Sequence, residues 1–176
     1  MHRVSIVLMV LLLSSHVEQV APREQSSNAA VGVRAQSRSP LEGVWKILEV
    51  SSRLPGADWT VATPPYLSVY IFTPKHYSYM FAPGVGPRRL FAGDPNQPSE
   101  AEKIAAYDSI VASSGTYILE GTTLTMTAII HKNPNEMTGE PLRYTVAVES
   151  NRMRMTIANP PFAPGRERRT LLTRLE

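Results

Sequence analysis

The sequence predicts an all-β fold, an eight-stranded antiparallel up-and-down barrel with one short helix. Three observations lead to this prediction. Short runs rich in β-branched residues follow one another, and each ends at Gly, Pro or Asn, which favour turns. Most runs alternate apolar and polar residues, so each strand has one apolar face. Eight such runs are present, and eight strands close an antiparallel barrel around a small interior.

The composition supports one globular domain. The chain has 176 residues, of which 43% are hydrophobic and 19% charged, a balance that allows a substantial core. The net charge of +3 is scattered, without a basic stripe interleaved with aromatic residues. We therefore expect no nucleic-acid partner. Cysteine is absent from the sequence, which excludes disulfides, thiolate nucleophiles and cysteine-bound zinc.

The N-terminus has the pattern of a targeting segment. An apolar run, Val4–Leu13, follows Arg3 and is too short to span a bilayer as a helix. We expect a signal peptide and leader over residues 1–35, disordered residues 36–40, and a barrel domain over residues 41–176. Export to the periplasm or the extracellular space follows, without stable membrane insertion after leader removal. The alternative is an uncleaved membrane anchor.

Three strands are predicted before the helix, over Glu42–Ser52, Tyr66–Thr73 and His76–Phe81. In the first of them, Trp45, Ile47 and Glu49 share one face. An inward Glu49 would need a partner or a proton in an apolar interior. Alternatively, a β-bulge or the end of the strand places this carboxylate in water. A loop rich in Pro and Gly, Ala82–Pro98, follows the third strand.

One helix and five further strands complete the chain. Ser99 and Glu102 have capping-box spacing and begin a helix predicted over Ser99–Ser113. Four strands follow as a meander over Gly115–Ala158, and Arg168–Leu175 closes the barrel. The apolar faces in the meander are Leu124, Met126, Ala128 and Ile130; Leu142, Tyr144, Val146 and Val148; and Met153, Met155 and Ile157.

The start of the first strand carries a recognisable motif, Gly43-Val44-Trp45. A Gly-x-Trp opening an eight-stranded barrel resembles the lipocalins and the wider calycin group. The resemblance implies that Trp45 plugs the closed end and that a basic residue of the last strand packs over its indole. Arg174 is the best match for that residue, and Arg169 is the second choice.

An ordered set of further motifs resembles the bacterial lipocalin-like domain family over about Leu41 to Glu176. The matching segments are Tyr70-Ile71-Phe72-Thr73-Pro74, Gly115-Thr116-Tyr117, and Pro134, Asn135, Gly139 and Arg143. The resemblance implies the barrel fold. The family has no single chemistry that carries over to this chain.

The function we expect is the binding of a small hydrophobic or amphipathic molecule inside the barrel. Methionine and aromatic side chains suit a pocket that adapts to a flexible ligand. The candidate ligand-binding residues are Tyr66, Tyr70, Phe72, Met80, Met126, Tyr144, Val146 and Met155. We expect the ligand to enter near the Ala82–Pro98 loop.

Two alternatives remain open at this stage. An enzyme could use the same barrel to isomerise or cyclise an apolar substrate, with Glu49, His76 or Tyr144 as acid or base. A barrel filled by its own side chains would instead have a structural or protein-binding role. We expect neither a metal nor a cofactor, because His76 and His131 lack a third ligand at suitable spacing.

Overall fold

The computed structural model describes residues 38–62, 65 and 67–176. The predicted signal peptide and leader lie outside the described residues and stay a prediction. The strands are β1 (Gly43–Arg53), β2 (Thr60–Ala62), β3 (Leu67–Phe72), β4 (His76–Ala82), β5 (Val111–Glu120), β6 (Thr123–His131), β7 (Leu142–Glu149), β8 (Arg152–Ala158) and β9 (Glu167–Arg174). An α-helix, α1, spans Glu100–Asp108, and a 3₁₀ helix spans Pro134–Glu136.

Eight of these strands form a closed antiparallel barrel, which confirms the predicted fold class. From β3 to β9, each strand pairs with the next along the chain. β1 closes the barrel by pairing with β3 along one edge and with β9 along the other. The short β2 pairs with the far end of β1, at Ser51↔Val61, on the edge that β3 also uses. β2 is therefore a ninth strand, and it is not one of the eight strands that close the barrel.

The core fills the end of the barrel where β1 begins and β9 ends. The period-two pattern predicted correctly that Met153, Met155 and Ile157 of β8 are buried. At this end, Trp45 of β1 and Leu172 of β9 are completely buried in one cluster with Met153. Their burial follows from alternation, which turns every second side chain of each strand inward.

A β-bulge in β1 decides the position of Glu49. Ile47 pairs with Leu172, but Glu49 pairs with the next residue of β9, so Leu48 is extra and is 37% exposed. The bulge reverses the alternation. Glu49 therefore leaves the face of Trp45 and Ile47, and its carboxylate lies 3.5 Å from Arg169 Nη2. The structure therefore has the β-bulge that the sequence analysis gave as an alternative to an inward Glu49.

A second bulge, in β6, corrects the predicted faces of that strand. Ser114 pairs with Ile130 and Gly115 pairs with Ala128, which leaves Ile129 as the extra residue. Ile130 is consequently 62% exposed on the outer surface, and its predicted inward position is wrong. His131, which simple alternation places on the outer face, pairs with the buried Ser113 and faces inward.

The helix α1 is shorter than predicted and lies on the outside of the barrel. It begins after Ser99, whose side chain makes the predicted capping box with Glu102, and it ends at Asp108. The segment from Val111 onwards was predicted as helix, but it pairs with β4 as the start of β5. None of the nine helical residues is buried. Within the described residues, no helix has the length and apolar character needed to cross a membrane.

Candidate functional site

The closed end of the barrel is sealed by Trp45. Its indole is completely buried, and Nε1 donates a hydrogen bond of 2.7 Å to the carbonyl oxygen of Leu41. The guanidinium carbon of Arg174 lies 4.1 Å from the centroid of the indole ring. A guanidinium stacks well on an indole and shields it from water. The predicted pairing of Trp45 with Arg174 is therefore confirmed.

Arg174 also connects the last strand, β9, to the residues before β1 through hydrogen bonds. Its guanidinium donates to the carbonyl oxygen of Glu42, and Nη2 donates to that of Pro40 at 2.8 Å. The amide of Glu42 donates to the carbonyl of Ser39 at 3.1 Å. We expected residues 36–40 to be disordered, but Ser39 and Pro40 form this hydrogen-bonded turn. Residues 36 and 37 lie outside the described part of the chain.

Arg169, the second choice for the indole of Trp45, stacks on the other tryptophan. Its guanidinium carbon lies 4.3 Å from the ring centroid of Trp59, and that of Arg53 lies 4.6 Å from the same ring. Both arginines also have carboxylate partners, since Arg53 pairs with Glu167 at 2.5 Å and Arg169 pairs with Glu49. This cluster lies on the outer face of β1 and β9.

The opposite end of the barrel is open and contains a two-lobed cavity. One part, which we call the mouth lobe, has a volume of about 330 Å³ and lies among the ends of β4, β7, β8 and β9. The other, the side lobe, has about 520 Å³ and lies between β6 and β7. Both lobes are lined by Tyr79, His131, Glu136 and Leu142, so they adjoin.

The side lobe exists because β6 and β7 separate towards the open end. Their pairing stops at Met126↔Leu142, although β6 continues to His131. The segment that contains the 3₁₀ helix Pro134–Glu136 leaves the sheet there and returns at the start of β7. The divergence opens the wall of the barrel beside its mouth.

Four of the predicted ligand-binding residues line this cavity. They come from four different strands, which alternation and the closed barrel bring together. Tyr70, Tyr144 and Met155 line the mouth lobe, and Met126 lines the side lobe.

The other four predicted residues do not line the cavity as described. Phe72 and Val146 are buried, but they lie deeper in the barrel; the ring of Phe72 packs edge-on against Tyr117 at 5.3 Å. Met80 is 48% exposed on the outer surface of β4, so its predicted inward position is wrong. Tyr66 lies outside the described residues, and its role stays a prediction.

The correction at Met80 follows from alternation along β4, whose inner face carries Tyr77, Tyr79 and Phe81 instead. The rings of Tyr77 and Tyr79 are nearly parallel at 5.9 Å, and those of Tyr79 and Phe81 at 6.2 Å. Tyr70 of β3 stacks on Tyr79 at 4.8 Å. Three aromatic residues at every second position were the signal that identifies this inner face, and all three line the cavity.

The tyrosines of the cavity remain protonated far above neutral pH. Burial raises the pKa of Tyr79 to about 12, and it raises the pKa values of Tyr70 and Tyr144 well above the usual value. The hydroxyls of Tyr70 and Tyr144 make no hydrogen bond with another described residue. In the described part of the chain, every completely buried side-chain nitrogen or oxygen atom has a hydrogen-bond partner. Both tyrosines line the mouth lobe, where a hydroxyl can donate a hydrogen bond to a ligand.

Arg168 is a cavity residue that the sequence analysis missed. It pairs with Ile157, whose side chain is buried, so it shares the inner face of the barrel. Arg168 lines the mouth lobe together with Tyr70 and Tyr144. Its guanidinium carbon lies 5.4 Å from the ring centroid of Phe162. Leu172, Thr170 and Arg168 are alternate residues of β9 and so share one face of the strand. This alternation was the signal in the sequence that indicated an inward Arg168.

Two more missed residues lie on the wall that the lobes share. His131 is held by the amide of Asn133, which donates to Nδ1 at 3.0 Å. Glu136, at the end of the 3₁₀ helix, lines both lobes of the cavity. The cavity therefore has a cationic group and an anionic group on different walls.

The residues considered for acid–base catalysis are not brought together. Tyr144 lines the cavity, but Glu49 is on the outer face of β1 beside Arg169. His76 is exposed at the turn between β3 and β4, near the closed end of the barrel. General acid–base catalysis requires such groups within hydrogen-bond reach of one substrate. This set does not meet that requirement.

The closed eight-stranded barrel, with Trp45 sealing one end under Arg174 and a cavity at the other, has a lipocalin-like fold. No protein-family model matches the chain, and comparison with curated proteins gives no match. Among solved structures, it is similar to a lipocalin-like protein from Bacteroides uniformis, with a TM-score of 0.42, 9% identity, and coverage of 78% of this chain and 100% of that one. It is also similar to an uncharacterized protein from Bacteroides eggerthii, with a TM-score of 0.40, 12% identity, and coverage of 76% and 98%.

Proposed function

We propose that this protein binds a small amphipathic molecule in the open end of its barrel. One observation carries the proposal: the barrel is sealed at one end and hollow at the other. Small-molecule sites typically enclose about 300–1,000 Å³. The mouth lobe of about 330 Å³ and the adjoining side lobe of about 520 Å³ are each within that range.

The lining of the cavity suits a ligand with an apolar body and a polar group. Aromatic rings and the methionines Met126 and Met155 supply most of the apolar wall. The polar groups of the mouth lobe include the hydroxyls of Tyr70 and Tyr144, and the side lobe adds polar side chains such as Ser113, His131 and Asn133. Ligand sites combine an apolar wall with polar groups that orient the ligand.

The same geometry weighs against the two alternatives. A barrel filled by its own side chains would leave no cavity at the mouth. An enzyme using Glu49 or His76 would need these groups in the cavity, and they are on the outer surface. Ligand binding is the function that uses the features present at the open end.

The proposal is tested by titrating the full-length protein with N-phenyl-1-naphthylamine, a neutral dye that fluoresces in apolar sites. We expect a saturable rise in fluorescence with one dye bound per chain. The test variant is Thr170→Phe, because Thr170 lines the mouth lobe. Its matched control is Thr145→Phe, since Thr145 is exposed on the outer face of β7.

The added ring at position 170 should occupy the mouth lobe and weaken dye binding by roughly tenfold or more, about 1.4 kcal/mol. The same ring at position 145 should leave the affinity unchanged. Equal affinity in both variants, or no saturable binding to the unmodified protein, would contradict the proposal. Circular dichroism of each variant checks that the barrel is intact.

A further inference from the structure

We propose that the ligand is an organic anion and that Arg168 binds its charged group. This inference rests on the proposed function, because it concerns the same cavity. It adds the chemical class of the ligand and its orientation in the cavity. The anionic group lies beside β9 at the mouth, and the apolar body packs against the aromatic residues of β3 and β4.

The first step is the position of Arg168. It is the second residue of β9, at the open end, and it lines the mouth lobe together with Thr170. Across the strand pair, the buried Ile157 shares its face. The side chain of Arg168 is half-buried at the mouth lobe, which the apolar Ile157 and Phe162 also line.

The second step is that Arg168 lacks the partners its neighbours have. Arg53 pairs with Glu167, Arg169 pairs with Glu49, and Arg174 donates to backbone carbonyls. Within the described residues, Arg168 makes no ion pair and no side-chain hydrogen bond, and its contact is with the ring of Phe162. An anion entering the mouth lobe would supply the missing partner.

The third step is the supply of further donors. Tyr70 and Tyr144 line the same mouth lobe as Arg168. A tyrosine hydroxyl is protonated at neutral pH, so each can donate a hydrogen bond to an anionic oxygen. Hydrogen bonds to charged groups are the stronger ones in proteins. Two hydroxyls and a guanidinium form a set of donors suited to a carboxylate or sulfonate.

The fourth step concerns the opposing charge. Glu136 is the one acidic residue among those that line the mouth lobe, and it makes no ion pair with Arg168. Glu136 and Arg168 both line the lobe that Tyr144 lines. The carboxylate of Glu136 repels an anion approaching its own wall and so favours the orientation towards Arg168.

Two dyes with the same aromatic body test this inference on the full-length protein at neutral pH. 8-Anilinonaphthalene-1-sulfonate carries one negative charge, and N-phenyl-1-naphthylamine is its uncharged counterpart. The test variant is Arg168→Gln. The matched control is Arg154→Gln, since Arg154 is exposed on the outer face of β8 and its loss changes the net charge equally. A third variant, Arg168→Lys, keeps the positive charge.

We expect Arg168→Gln to weaken binding of the sulfonate dye by roughly tenfold or more, as the loss of a charged hydrogen bond does. Binding of the neutral dye should change by less than about twofold on the same scale. Arg168→Lys should recover part of the loss, Arg154→Gln should have no effect, and Glu136→Gln should strengthen binding of the sulfonate dye.

Two outcomes overturn the inference and leave the proposed function in place. One is an equal effect of Arg168→Gln and Arg154→Gln on the sulfonate dye. The other is an equal loss of both dyes in Arg168→Gln with the barrel intact by circular dichroism. If neither dye binds the unmodified protein, the proposed function and the inference both fail.

Discussion

At the scale of single residues, Gly43 is critical for the closed end. Its φ of 132° is in the region that favours glycine. A Cβ at this position would collide with the carbonyl oxygen of Glu176 and would lie 2.6 Å from Nη1 of Arg174. Glycine therefore lets the end of the chain cross over the start of β1, where the amide of Val44 donates to that carbonyl at 3.3 Å.

We predict that Gly43→Ala destabilises the protein by about 1–3 kcal/mol, the usual cost of a strained backbone position. Urea unfolding should show a lower midpoint with an unchanged slope. Gly93→Ala is the control, because no atom lies within 4 Å of a Cβ there and its φ is not in the positive region. Its effect should stay within about 0.5 kcal/mol. Equal stability of both variants would mean that the chain end does not lie over Gly43.

Single residues also mark where sequence reasoning succeeds and where it fails. Trp45 could be predicted from the Gly-x-Trp motif, and Arg174 from the basic residue that the resemblance implies on the last strand. The two residues meet because β1 and β9 pair when the barrel closes. Arg168 was missed because an arginine at the start of a strand is usually solvated, and its inward direction depends on the register with β8. Met80 was placed inward on its apolar character alone, whereas the alternation of Tyr77 and Tyr79 contradicts that placement.

At the scale of elements, α1 is attached to the preceding loop through one carboxylate. Glu102 accepts hydrogen bonds from the amide of Ala92 at 2.7 Å and from the amide of Ser99 at 2.9 Å. The bond from Ala92 is the largest of the effects that lower the pKa of Glu102 to about 2, and bonds from Ser99 add to it. The tie between loop and helix therefore depends on an ionised side chain.

The hydrogen bond from the Ala92 amide to the Glu102 carboxylate should weaken only at acidic pH. A carboxyl with a lowered pKa contributes stability above its unfolded value of 4.5, and the contribution is lost as the pH falls towards 2. We predict that the NMR signal of the Ala92 amide shifts with a midpoint near pH 2. Glu102→Gln should abolish the transition, and Glu100→Gln, the control in the same helical turn, should leave it unchanged. A midpoint near 4.5 would contradict the tie.

The elements differ in how far the sequence predicts them. The faces of β7 and β8 follow from unbroken alternation, and the start of α1 follows from its capping box. The carboxylate of Glu49 on an apolar face allowed a bulge in β1 as one alternative, but no residue of β6 marks the bulge at Ile129. The end of α1 was predicted too late because Val111 fits a helical pattern, and pairing with β4 outweighs that local preference.

At the scale of the whole molecule, the number of strands does not decide whether the barrel is hollow. Eight strands enclose a space that side chains can fill or leave open. At the closed end, the side chains of Trp45, Met153 and Leu172 are completely buried. At the open end, β6 and β7 separate beyond Met126, and this long-range feature of the pairing produces the cavity.

The central claim is that a ligand occupies this cavity, and the methyl groups of methionine report on it most directly. The full-length protein, labelled with ¹³C at the methionine methyl groups, is titrated with N-phenyl-1-naphthylamine and followed by NMR. Met155 lines the mouth lobe and Met126 the side lobe, whereas Met80 is on the outer surface. We predict that the signals of Met155 and Met126 shift and saturate together, while that of Met80 stays in place. A shift of Met80 alone, or no shift of Met155 at saturating dye, would contradict the claim.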